Sequence, residues 1–225
     1  MSQGTERHLV IAQLREQIRR LERRPGRRDG VVPCGLEAID GVLPGGGFRC
    51  GAITELCGGP ASGKTAVALA LFASLAPDDL AAWVDGRGEL YPPAARARGV
   101  DLARLLVVRP GVPGTAEGRD RGAAGTPSVD RTDARRGLWA AEALLASGAF
   151  AAVVIDVAVP RAFAGADGVA RRLQGAAERG GAVGVWLASG KGLRVPAVAR
   201  LEIAAEGERI VARRATGLGG GHHAA

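Results

Sequence analysis

Gly58-Gly59-Pro60-Ala61-Ser62-Gly63-Lys64-Thr65 is a complete G-x-x-x-x-G-K-[ST] phosphate loop, set between the apolar run Ala52-Ile53-Thr54-Glu55-Leu56-Cys57 and the apolar stretch 66–75. Strand, glycine-rich turn and helix in that order predict a concavity lined by backbone N–H groups. The positive end of the following helix adds to its pull on phosphate, Lys64 supplies a point charge, and the Thr65 hydroxyl suits Mg²⁺. ATP with Mg²⁺ is therefore the expected ligand. Lys64 and Lys191 are the only two lysines of the chain. A compact ammonium fits a narrow phosphate loop where a planar guanidinium does not.

Outward from the loop, short apolar segments alternate with helical ones. Buried strands are expected at 52–57, 81–85, 105–108, 151–156 and 182–188, with helices near 92–98, 132–147 and 166–179. That alternation predicts an α/β domain with a mostly parallel central sheet covered by helices on both sides. Leu201-Glu202-Ile203 and Arg209-Ile210-Val211, joined through Glu206-Gly207-Glu208, predict a C-terminal antiparallel hairpin. The expected organisation is a basic N-terminal helix and linker over 1–30, a core over 31–215 interrupted by a flexible insertion at 111–131, and a disordered tail over 216–225.

At 225 residues and 47% hydrophobic content the chain suits one sizeable domain, and its formal charge of +7 points to an acidic partner such as DNA. Residues 1–30 carry eight arginines against four acids, so more than half of that net charge lies there. Leu14, Ile18 and Leu21 form an i, i+4, i+7 stripe, and Arg15, Arg19, Arg20, Arg23 and Arg24 accompany it. The expected roles are an apolar face for a partner or the chain's own core, and arginines for non-specific phosphate contact. Cys34, Cys50 and Cys57 are odd in number and lack C-x-x-C spacing, which argues against a disulfide framework or a zinc site. No apolar run is long enough to span a membrane, and a cytoplasmic placement follows as the expectation.

Asp156 ends the run Ala151-Ala152-Val153-Val154-Ile155 and is the expected second metal-holding residue beside Thr65. Asp85, Glu89 and Glu55 are the candidates for orienting or deprotonating the attacking water.

Gly35-Leu36-Glu37-Ala38-Ile39-Asp40, the phosphate loop, Trp83-Val84-Asp85, Tyr91-Pro92, Arg98-Gly99-Val100-Asp101 and Leu105-Leu106 resemble, in order and spacing, the ATPase core of the RecA recombinases. The resemblance implies a RecA-like fold over 31–215 and an N-terminal helix of the kind through which RecA protomers dock. It also exposes departures. Where RecA carries a water-activating glutamate this chain has Arg87, and Ala188-Ser189 stand where RecA has an Asn-Gln sensor pair. The segments matching RecA's DNA-binding loops, 157–165 and 190–199, offer only Arg161, Lys191 and Arg194 to phosphates. With eight aromatic residues in the whole chain, a base-stacking platform is poorly supplied. Within the sequence, no stretch is expected to correspond to RecA's C-terminal domain.

A RecA-like core with these departures is similar to the ImuA family of accessory proteins in damage-induced mutagenesis. That resemblance implies a role in translesion DNA synthesis and the SOS response, binding of RecA or of the mutasome polymerase proteins, possible inhibition of RecA, and weak or absent ATP hydrolysis. The alternative is an active DNA-dependent ATPase of the recombinase class.

Overall fold

The computed structural model describes residues 30–110, 131–159, 166–188, 197–207 and 209–215. All but the last residue of the basic segment expected at 1–30, most of the insertion expected at 111–131, and the tail expected at 216–225 lie outside them.

Seven strands form one sheet: β3 (Ala52–Cys57), β4 (Leu80–Asp85), β5 (Leu105–Val108), β6 (Phe150–Asp156), β7 (Val183–Leu187), β8 (Ala199–Glu206) and β9 (Arg209–Arg214). Their order across it is β5-β4-β6-β7-β3-β8-β9. Every neighbouring pair is parallel except β8 and β9, which form the expected antiparallel hairpin. A two-stranded ribbon of β1 (Val31–Val32) and β2 (Phe48–Arg49) precedes the sheet.

The helices are α1 (Glu37–Asp40), α2 (Lys64–Ala73), α3 (Pro92–Ala97), α4 (Arg131–Ala146) and α5 (Ala166–Gly180), with a 3₁₀ turn at Leu102–Arg104. Two apolar clusters, one on each face, account for the strand composition. Leu56, Val67, Leu71, Phe72, Trp83, Val154, Val185 and Leu187 belong to the cluster that holds α2. Ile53, Val84, Val153, Ile155 and Trp186 pack in the other, with Leu138 and Leu145 of α4 and Leu173 of α5. Because both faces are buried, the strands read as continuous apolar runs rather than as alternating ones.

The topology also locates the site. After β3 the chain crosses to β4, leaving a gap of two strands that β6 and β7 later fill. In open parallel sheets ligands sit outside the carboxyl ends of strands at such a switch point. Here that places the phosphate loop after β3 and Asp156 at the end of β6 on one edge.

Candidate nucleotide-binding site

The loop between β3 and α2 is shaped by its glycines. A Cβ on Gly58 would strike the carbonyl oxygen of Ile203 and the Ser62 hydroxyl, so only glycine passes between the loop and β8. Ala61, with φ 56°, is the one non-glycine residue in the left-handed region among those described. Such a conformation costs an alanine about 1–2 kcal/mol and is retained where the surrounding structure demands it. No side chain caps the start of α2, whose cap residue is Gly63. Its first N–H groups therefore lack a capping side chain, in keeping with an anion-binding helix start.

Lys64 Nζ donates to the carbonyl oxygens of Gly58 (2.6 Å) and Gly59 (2.8 Å) and to Ser62 Oγ (3.1 Å). The ammonium is thus bound within the loop itself. Burial first, and then the Arg87 charge, lower its pKa.

A cleft of about 700 Å³ opens over the loop, lined by residues 58–66 and by Arg87, Glu89, Arg98 and Asp156. Of the three acids proposed for water activation, only Glu89 lines it, from an exposed position. Asp85 is buried and fully engaged: it accepts from the backbone N–H of Glu89 (2.9 Å) and Leu90 (3.4 Å) and from Arg109 Nε (2.9 Å). Glu55 is buried in β3 and held by Arg200 of β8. Both are structural clamps, and neither is a lining residue of the cleft. Arg109, which ties β5 to the loop after β4, is a residue the sequence reasoning missed. A lone arginine after an apolar strand gives no signal of the carboxylate it will meet.

Asp156 is electrostatically perturbed within the cleft. Arg87 Nε lies 2.8 Å from its Oδ1, and both side chains are largely buried. Burial pushes the carboxyl up to about 6 against the opposing pull of Arg87, with Glu89 and Asp85 adding to the rise and Lys64 opposing it. A carboxyl that holds its proton more tightly when folded makes the fold less stable as pH rises from about 4 through about 6, and level above that. Relative to the parent, Asp156→Asn should therefore gain up to about 3 kcal/mol across this window in urea denaturation. A difference between the two proteins that does not vary with pH would contradict it.

Thr65 and Asp156, the residues expected to hold Mg²⁺, do not fit that ion as they stand. Mg²⁺ demands oxygen ligands in near-ideal octahedral geometry. A guanidinium stands 2.8 Å from Asp156 Oδ1, and its charge would repel the ion.

Ala188, at the sensor position, is buried, and its N–H donates to the carbonyl oxygen of Leu56 (2.9 Å), so it is part of the sheet edge. Cys34, Cys50 and Cys57 are all free thiols. Burial raises Cys34 and Cys57 to about 12. Leu14, Ile18, Leu21 and the arginines around them lie outside the described residues, as do Ser189, Arg161, Lys191 and Arg194. No helix among the described residues is long and apolar enough to cross a membrane.

Residues 12–117 match the RecA N-terminal domain, a span that includes the Leu14, Ile18 and Leu21 stripe, the phosphate loop and Arg87. The chain is 36% identical to Protein RecA of Salinispora tropica over 163 residues, which is 68% of this chain and 41% of that protein. It is 41% identical to Protein RecA of Salinispora arenicola over 108 residues, 45% of this chain and 31% of the relative. Against Protein RecA of Lactococcus lactis subsp. cremoris strain MG1363 it is 34% identical over 140 residues, 62% of this chain and 31% of the relative. The chain spans less than half the length of these relatives. With a phosphate loop at the switch point of a mostly parallel sheet and a match to the RecA N-terminal domain over residues 12–117, the chain has a RecA-like α/β fold and is similar over part of its length to RecA proteins.

Proposed function

We propose that this chain is an accessory protein of RecA-dependent damage tolerance in the cytoplasm: it binds ATP at the loop 58–65 without efficient turnover and acts by contact with RecA or with mutasome polymerases in translesion synthesis. The observation that carries this reading is the Arg87–Asp156 ion pair in the nucleotide cleft. Hydrolysis requires a group that orients or deprotonates water. Arg87, a guanidinium, offers no such base, and it engages Asp156, a buried carboxylate that lines the cleft. What remains is a phosphate cradle suited to binding.

Partner contact falls to Leu14, Ile18 and Leu21, and non-specific DNA contact to Arg15, Arg19, Arg20, Arg23 and Arg24. Arginine-phosphate contacts release counterions, so DNA binding through them weakens steeply with salt.

A second reading is favoured by one observation: Glu89 lines the same cleft as Lys64. In that reading Glu89 is the general base of a DNA-dependent ATPase. Steady-state turnover with and without single-stranded DNA separates the two. The accessory reading expects no DNA-stimulated hydrolysis, together with a fall in the DNA-stimulated ATPase of RecA when this protein is added. Turnover that disappears in both Lys64→Ala and Glu89→Gln would establish the ATPase instead.

A further inference from the structure

The loop that carries Arg87 is clamped on two sides. Gly86 N–H donates to the carbonyl oxygen of Asp156 (2.9 Å), and a Cβ at Gly86 would come within 3.1 Å of that oxygen and 3.2 Å of Val157 Cα. On its other flank Asp85 gathers the Glu89 and Leu90 N–H groups and Arg109. Between these anchors the guanidinium of Arg87 is set against Asp156, and it lines the same cleft as the phosphate loop.

We infer that Arg87 is a resident replacement for the divalent cation, so that the cleft takes a nucleoside polyphosphate in metal-free form. This rests on the nucleotide-binding reading above and adds what supplies the charge. Lys64, Arg87 and Arg98 face Glu89 and Asp156 around the cleft, a balance of one net positive charge from protein groups. Without Arg87 the balance is zero, and a polyphosphate would need an added cation. The planar fork of guanidinium N–H donors matches phosphate oxygens. The ion pair that keeps Mg²⁺ from Asp156 thereby holds a phosphate ligand in place.

The test is equilibrium binding of ATP labelled on its ribose with a fluorophore, using the full chain in excess Mg²⁺ and in excess EDTA. The parent protein should bind with dissociation constants equal within about twofold in the two conditions, and Arg87→Ala should lose at least about tenfold in EDTA. Arg87→Lys, which keeps the charge but not the fork, should fall between them, and thermal melts of both variants identify any loss of fold. Parent binding that weakens tenfold or more in EDTA overturns this inference and leaves the nucleotide reading standing. So does a folded Arg87→Ala that matches the parent in EDTA. Absence of binding by the folded parent in both conditions overturns the two together.

Discussion

Arg200→Ala should destabilise the protein by about 3 kcal/mol, because it strands a buried carboxylate. Glu55 sits directly opposite Arg200 in the β3–β8 register, its side chain only 5% exposed. Both Nε (2.8 Å) and Nη2 (2.5 Å) of Arg200 converge on Glu55 Oε2, while the Cys57 thiol donates to Oε1 (3.2 Å). Removing the guanidinium leaves one thiol to satisfy a charge within the sheet. Breaking a buried pair by deleting one partner is far more damaging than replacing both with apolar residues of similar size. The double variant Glu55→Leu, Arg200→Leu should thus recover most of the loss in urea denaturation. If Arg200→Ala unfolds within about 0.5 kcal/mol of the parent, the range of an ordinary surface change, the pair is not the clamp described.

The second large effect is at Lys64. Its three hydrogen bonds bind the loop to itself, and phosphate oxygens of an incoming nucleotide would compete for the same ammonium. Charge-assisted bonds are the strong ones in such a site, and Lys64→Ala removes the central cation outright. A loss of nucleotide affinity of at least about 100-fold is expected, corresponding to about 2.7 kcal/mol. The fold should survive, since the loop lies at the sheet's edge and its glycines, not its lysine, clear β8. Lys64→Arg should not rescue binding, because a planar fork cannot reproduce three bonds converging on one nitrogen.

The strands from β3 to β7, their helices and the terminal hairpin are legible in the sequence because each apolar run is bounded by glycine or by charge. The ribbon of β1 and β2 is not, since two residues per strand carry no period. The phosphate loop is legible because its chemistry depends on backbone and on one lysine at fixed spacing. The acids are not. In a sheet buried on both faces, hydrophobic alternation no longer marks which side chain points where. Glu55 and Asp85 therefore read as possible catalytic acids, yet each meets an arginine from another strand or its following loop, 145 residues away for Glu55 and 24 for Asp85. Arg87 reads as the loss of an acid; its seat on Asp156 emerges only when β4 and β6 are neighbours.

We propose that the loop 58–65 is a working nucleotide site. Calorimetric titration of ATP into the parent protein and into Lys64→Ala tests it most directly. One-site saturable binding by the parent, weakened at least about 100-fold in the variant, is the predicted result. Equal binding by the two folded proteins, or no binding by the parent, would contradict it.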